Sequence, residues 1–287
     1  MLPCLQMAFL GKRNTLRILR SFRHGFYLGG EQLGDILLPT NQVPKDATLG
    51  GTVDVFIYRD SEDRLIAATK QPHAMVGEFA CLQVVGVDER MGAFLDWGLP
   101  KDLLLPIREQ TRRLRRGDWI LVYVMVDELS GRIVASMRLN RHLNLTEPSY
   151  REDEKVNLIV IGETELGYSV IIEGAHRGLL YHSDLRIRLY EGQKLDGYIR
   201  KVREDGKVDV ALDAAGYSRV APLAEQIHGK IVAAGGRLAF SDESSPEAIR
   251  TAFGCSKKAF KQAIGTLFKQ RRIIMLDGGI GLPIDKE

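Results

Sequence analysis

Tyr168, Tyr181 and Tyr198 lie among Arg177, Arg200, Lys201, Arg203 and Lys207. Rings and cations so interleaved suit a single-stranded nucleic acid, with bases stacking on the aromatics and phosphates running past Lys and Arg. Tyrosines on strands of small β-domains also serve as core or surface fillers. Phe94 and Trp97 form a second aromatic pair, which the same logic places against a base, in a core or at a contact between domains. Arg112-Arg113-Leu114-Arg115-Arg116 is the densest basic run. It is read either as a phosphate-contacting patch or as a solvated cap helix held by Glu109 and Asp118. Residues 248–276 carry Arg250, Lys257, Lys258, Lys261, Lys269, Arg271 and Arg272 and no Asp or Glu. That stretch can dock on nucleic acid or, as a solvated face, on protein.

Catalytic chemistry is poorly represented. His24, His73, His142, His176, His182 and His228 fit no metal-ligand spacing, so no metal or cofactor is expected. Gly278-Gly279-Ile280-Gly281 lacks the Lys-Ser/Thr that would end a phosphate-binding loop. The acidic residues fall mostly in turns and form no cluster of the kind two-metal hydrolysis needs. Cys4, Cys81 and Cys255 are far apart and read as reduced thiols of a cytoplasmic protein. No apolar run approaches the ~18 residues of a membrane helix. Lys12 and Arg13 follow the mildly apolar start instead of preceding it, the wrong order for a secretory signal. Translation from Met1 and from Met7 are both compatible with the sequence. The chain has 287 residues, room for several domains, and a net charge of +3. Residues 222–287 hold the whole excess, a weak basic bias compatible with nucleic acid.

The elements that must position these residues come from a repeat. Gly25, Gly92 and Gly167 are each followed thirteen residues later by a Leu (Leu38, Leu105, Leu180) and twenty-five later by a Gly (Gly50, Gly117, Gly192). Each copy reads as five short strands. In the clearest copy these are Phe79 to Val87, Gly92 to Asp96, Leu103 to Leu105, Trp119 to Val126 and Arg132 to Ser136. A longer segment separates the third and fourth strands and is placed to cap one end: Thr40 to Leu49, Ile107 to Arg116, His182 to Glu191. Five short strands so arranged describe an OB-type barrel; a propeller needs four-stranded blades and more copies. Gly206 matches Gly131, whereas Arg64 stands at that position in the first copy, so its last turn is expected to be one residue shorter. The predicted domains are 12–70, 75–139 and 153–213, then 222–287.

Beyond residue 214 the pattern changes. Pro222 to Ala234 has helical spacing and Leu238-Ala239-Phe240 is a short strand. Ser245-Pro246 and Ser256 start two helices, and Gly254 ends the first. Arg272 to Leu276 and Ile280 to Leu282 flank Asp277-Gly278-Gly279 as a hairpin. This is the order of a winged helix-turn-helix, with the helix from Ser256 in the recognition position.

Gly92-Ala93-Phe94-Leu95-Asp96 followed by Leu104-Leu105-Pro106 resembles the S1-type RNA-binding domain, as does Gly178-Leu179-Leu180-Tyr181-His182-Ser183. The whole chain resembles the conserved virulence factor B (CvfB) family of bacterial RNA-binding proteins. That match is carried by Asp60 to Ala67, Gly92 to Leu104 and Gly131 to Ser136. The resemblance implies three tandem S1-like barrels, a C-terminal winged helix and a role as an RNA-binding regulator. The S1 pattern has aromatics just before and two residues after the first Gly, and a His in the third strand. Here those positions hold His24, Tyr27 and Pro39; then Met91, Phe94 and Pro106; then Leu166, Ser169 and Tyr181. The basic position after the last turn is Arg64, Arg132 or Lys207. The third repeat, with His182 beside Tyr181, and the basic winged helix are therefore the expected RNA contacts. The leading expectation is a non-catalytic protein that binds single-stranded RNA in preference to duplex. The alternatives are a DNA-binding transcription regulator working through the winged helix, and an RNA-processing enzyme or nuclease accessory subunit. The sequence names no protein partner.

Overall fold

The computed structural model describes residues 7–185, 187–213 and 217–283, with the side chains of 217–222 left aside. Fifteen strands form three closed five-stranded barrels of identical topology. The first comprises β1 (Arg13–Phe22), β2 (Gly25–Gly29), β3 (Asp35–Pro39), β4 (Thr52–Arg59) and β5 (Leu65–Ala68). The second comprises β6 (Phe79–Asp88), β7 (Gly92–Asp96), β8 (Leu103–Pro106), β9 (Trp119–Val126) and β10 (Ile133–Ser136). The third comprises β11 (Lys155–Glu163), β12 (Gly167–Ile172), β13 (His176–Tyr181), β14 (Lys194–Val202) and β15 (Val208–Ala211). In each, the strand order is first, second, third, fifth, fourth, closing on the first. The third and fifth strands of the first two barrels run parallel.

The repeat spacing has a backbone cause. A Cβ on Gly25, Gly92 or Gly167 would lie 2.0, 2.1 or 2.0 Å from the carbonyl oxygen of Leu38, Leu105 or Leu180. The second and third strands cross that closely only if the opening residue has no side chain. The later glycines turn the chain into the fourth strand. Gly50, Gly117 and Gly192 have φ of +82°, +95° and +79°, and their N–H groups donate to Ile18, Val84 and Val160. Directly after each of those residues the first strand carries a bulge. The turn before the last strand has five residues in the first barrel (60–64) against six in the second (127–132), the expected shortening. In the third it also has five (203–207), so there the expectation fails, because β14 runs one residue longer than β4. Asp63 adopts the left-handed conformation (φ +65°) that Gly131 and Gly206 adopt in the other two. A short acidic side chain tolerates that region better than most.

The strand β4 explains how the first two barrels join. Val55 and Ile57 fill the first barrel, while Phe56 and Tyr58, pointing the other way, are buried with the core of the second. Trp97 meets both rings edge-on, at 5.7 and 6.4 Å, and is itself 3% exposed. Two expectations fail. Residues 112–116 form no helix; only Ile107–Glu109 make a 3-10 turn. Leu114 is buried and pins the segment to the second barrel, and Glu109 turns inward to accept from the Ser136 hydroxyl at 2.7 Å. Asp118 holds the basic run, accepting from Arg112 Nη1 (3.1 Å) and the Arg115 N–H (3.0 Å).

The C-terminal unit has α1 (Tyr217–Ala233), β16 (Arg237–Leu238), α2 (Pro246–Phe253), α3 (Lys257–Lys269), β17 (Ile274–Leu276) and β18 (Gly279–Gly281). This is a winged helix, its sheet ordered β16-β18-β17. Ser245 and Ser256 cap α2 and α3 by accepting from Ala248 and Ala259, and Gly254 ends α2 at φ +68°. The first helix begins before Pro222, because proline favours a helix start without requiring one. The first strand ends at Leu238 instead of Phe240, where pairing with Ile280 stops. Phe240 instead packs edge-on against Phe253 at 5.1 Å. Among the described residues no helix is long and apolar enough to cross a membrane.

Candidate nucleic-acid interface

Strand register defines one outward row per barrel, built from the residue two after the opening glycine. In the first barrel Tyr27 pairs with Leu37, which pairs with Ile66. In the second, Phe94 pairs with Leu104, and Leu104 with Val134. In the third, Ser169 pairs with Leu179.

The first barrel presents the richest row. The bulge after Ile18 brings Arg20 opposite Tyr27. Arg20 sits over the Tyr27 ring, its Cζ 4.5 Å from the centroid, and its Nη2 is 2.8 Å from the Asp35 carboxylate. Phe22 is 60% exposed and meets Tyr27 edge-on at 6.2 Å. A ring offered to solvent beside a ring held by a guanidinium has the chemistry to stack a base next to a cation. Arg64 closes the far side, ion-paired to Asp60 and Glu62 at 2.7 Å each.

Asp60 organises that turn. Burial pushes its carboxyl up, but the Arg64 side chain and the N–H groups of Arg64 and Glu62 outweigh this and hold it below its ordinary value. A folded-state pKa below the unfolded one means the contribution to stability is complete above the unfolded value and is lost as pH falls through the folded one. Acid titration followed by near-ultraviolet circular dichroism is expected to show wild type losing stability relative to Asp60→Asn below about pH 4, with the two differing by a constant amount above it.

In the second barrel Phe94 is half-buried beside exposed Met91. Arg132 donates from Nε to the Asp63 carboxylate at 3.1 Å, and Lys101 Nζ reaches the Asp60 carbonyl at 2.6 Å. Burial draws the Lys101 pKa down. Trp97, buried at the junction and donating from Nε1 to the Lys101 carbonyl at 2.6 Å, offers no face to a base.

The third barrel corrects the sequence reading. Tyr168 is 4% exposed, packs edge-on against His182 at 5.5 Å and accepts from the Leu189 N–H. Its neighbour Ser169 holds the row position of Tyr27 and Phe94 but is itself 4% exposed, accepting from Arg177 Nε at 2.7 Å. Arg203 makes a two-pronged pair with Asp209 (2.9 and 2.7 Å), and Lys207 pairs with Asp205 at 2.7 Å. His182 is exposed beside Glu163 (3.7 Å), and Tyr181 is half-buried. Arg200 and Lys201, on β14 with the half-buried Tyr198, make no ion pair among the described residues. The expected cations are thus present on this barrel without an exposed aromatic row.

On the winged helix, Lys257 Nζ lies 3.4 Å from the Glu243 carbonyl and Lys261 Nζ 3.4 Å from the Asp242 carboxylate. Arg272 is ion-paired with Glu225. Lys258, Lys269 and Arg271 are exposed and make no ion pair among the described residues. Among those residues, no three His, Cys, Asp or Glu side chains cluster to hold a metal ion.

Residues 10–70 match the S1 domain family, and residues 225–282 match the CvfB-like winged helix domain. The uncharacterized protein YitL of Bacillus subtilis strain 168 is 30% identical over 277 residues, 93% of this chain and 92% of that one. Conserved virulence factor B of Staphylococcus aureus strain USA300 is 25% identical over 266 residues, 90% of this chain and 88% of that one. The chain belongs to the CvfB family. Similarity extends to a solved multidomain protein with nucleic acid binding domains from Streptococcus pneumoniae TIGR4, 24% identical and covering 96% of this chain and 98% of that one, with a TM-score of 0.41. Both matched domains of this CvfB-family chain are nucleic-acid-binding types, not enzymatic ones.

In this CvfB-family protein the sequence reading places Tyr27 at an S1 aromatic position but does not single out Phe22 and Arg20, which the structure sets beside it. Tyr27 was legible from its place two residues after Gly25. Phe22 was not, because the bulge reverses the facing of β1 beyond Ile18.

Proposed function

We propose that the chain is a non-catalytic regulator that binds single-stranded RNA along the outward rows of its barrels, with the first barrel as the main platform. The observation that carries this reading is the exposed Phe22 ring beside Tyr27 and Arg20. Phe94 and Arg132 extend the path on the second barrel. Arg177, Arg200, Lys201, Arg203, Lys207, Tyr181, Tyr198 and His182 supply contacts of lower aromatic content on the third. Weak sites on one chain reinforce one another through effective concentration. Cytoplasmic post-transcriptional control suits such a protein, and the name of the staphylococcal relatives points to virulence genes as one setting.

The test is a gel-shift titration of the full chain against single- and double-stranded RNA and DNA at two salt concentrations. Binding is expected to favour single-stranded RNA with little sequence preference. It should weaken with salt at a log–log slope of about −0.7 per phosphate neutralised. Absence of RNA binding at low salt contradicts the reading.

A second reading, duplex DNA held by the winged helix, draws on Lys258, Lys269 and Arg271, exposed and without an ion pair among the described residues. Under it, charge reversal at Lys257, Lys258 and Lys261 abolishes a preference for duplex DNA.

A further inference from the structure

The outward row of the second barrel is enclosed where that of the first is open. The β4–β5 turn of the first barrel is clamped to it by the Arg132–Asp63 and Lys101–Asp60 contacts described above. Between them lies a pocket of about 370 Å³. That volume is near the lower end of the range for sites that take one small molecule. Phe94, Met91 and Leu104 supply flat and apolar lining, and Arg59, Ser61 and Asp102 supply polar lining. Arg59 is incompletely satisfied. One guanidinium nitrogen donates to the Asp63 carbonyl at 2.7 Å, while its Nε is buried without a hydrogen-bond partner. Nε exposes no surface, so an acceptor in the pocket can meet only the rest of the Arg59 guanidinium.

These features narrow the occupant. A bare phosphate would leave the aromatic and thioether lining without a partner and would face the Asp102 carboxylate. A purely apolar ligand would offer the Arg59 guanidinium no acceptor. A planar heterocycle with acceptors and donors on its edge answers both. Arg59 and Asp63 also line the open face that carries Tyr27. A strand stacked on Phe22 and Tyr27 therefore has a direct route to the pocket.

We propose that this inter-barrel pocket receives a single nucleobase, stacked against Phe94 and hydrogen-bonded to Arg59. The proposal rests on the RNA-binding reading for the origin of the base, since the chemistry of a free nucleotide is the same. An open row tolerates any run of bases, whereas an enclosed pocket admits one. The pocket is thus the place where this chain acquires base preference.

Trp97 lines the pocket, and the chain's other tryptophan, Trp119, is 61% exposed. In a Trp119→Phe protein the indole fluorescence reports on the pocket alone. Titration of that protein with AMP, GMP, CMP and UMP is expected to give a saturable change with at least one of them. Phe94→Leu in the same background should weaken that binding about fivefold or more, the lower end of one lost stacking contact. Circular dichroism confirms that the variant is folded. No saturable change with any of the four, or equal affinity in the Phe94→Leu protein, overturns the proposal. Anisotropy with a labelled single-stranded RNA separates the two sources. If Phe94→Leu weakens the oligonucleotide as well, the base comes from RNA; if only the mononucleotide is affected, the pocket serves a free nucleotide. Oligonucleotide binding with silent mononucleotides removes the pocket and leaves the RNA-binding reading standing. A saturable mononucleotide response without oligonucleotide binding does the reverse.

Discussion

Replacing Phe22 and Tyr27 together by alanine is expected to weaken single-stranded RNA binding at least about 30-fold. That figure takes the low end of ~1–3 kcal/mol per stacked base and counts it for both rings. Phe22 is 60% exposed, so its removal costs the fold little. Tyr27 is half-buried and fixed by Arg20, so the double variant also frees that guanidinium to its Asp35 partner. Fluorescence anisotropy with a labelled oligonucleotide measures the effect, and thermal unfolding monitors the fold. Tyr168→Leu is the informative contrast. It removes the buried ring that packs edge-on against His182. RNA affinity of the folded variant should then stay within about twofold of wild type, whereas the third-repeat reading drawn from sequence predicts the loss of a stacked base there.

The second large effect is on stability. Gly92→Ala is expected to cost about 3–5 kcal/mol, because the new Cβ would lie 2.1 Å from the Leu105 carbonyl oxygen at a φ of +132°. The strands β7 and β8 must part to admit it, and the paired row from Phe94 to Leu104 parts with them. Gly131→Ala is the control. Its φ is +64° with nothing within 4 Å of the added carbon, so it carries only the conformational cost of about 1 kcal/mol. Differential scanning calorimetry should place the Gly92→Ala transition on the order of 10 °C below wild type, and Gly131→Ala within a few degrees. Equal effects would mean that the thirteen-residue spacing has some cause other than strand contact.

The contrast between those glycines also shows why the architecture was readable from sequence. A backbone that crosses another at van der Waals contact admits one residue type, so Gly25, Gly92 and Gly167 mark the same crossing three times. The caps at Ser245, Ser256 and Gly254 are similarly local, and each forms as its sequence suggests. The direction of a strand side chain is a different matter. Tyr168 and Ser169 are adjacent and both buried, and register alone decides which takes the row position of Tyr27 and Phe94. Comparison of the copies held the answer, since Tyr168 aligns with Ala93, which is fully buried, and Ser169 aligns with Phe94. Phe22 was hidden by a different cause. Leu16 and Ile18 point inward, and plain alternation would send Phe22 after them; the bulge turns it out. Ion pairing was not legible either. Arg203, Lys207, Lys257 and Lys261 look free in a one-dimensional reading, and each meets an acidic side chain or a carbonyl oxygen in the folded chain.

The first barrel's place as the main RNA platform is tested most directly by ultraviolet crosslinking of a 4-thiouridine-labelled single-stranded RNA to the full chain, with the sites mapped by mass spectrometry. Crosslinks are expected at Phe22 and Tyr27, extending to Phe94 on the second barrel. Crosslinks confined to residues 257–281 of the winged helix, or to the third barrel alone, would contradict it.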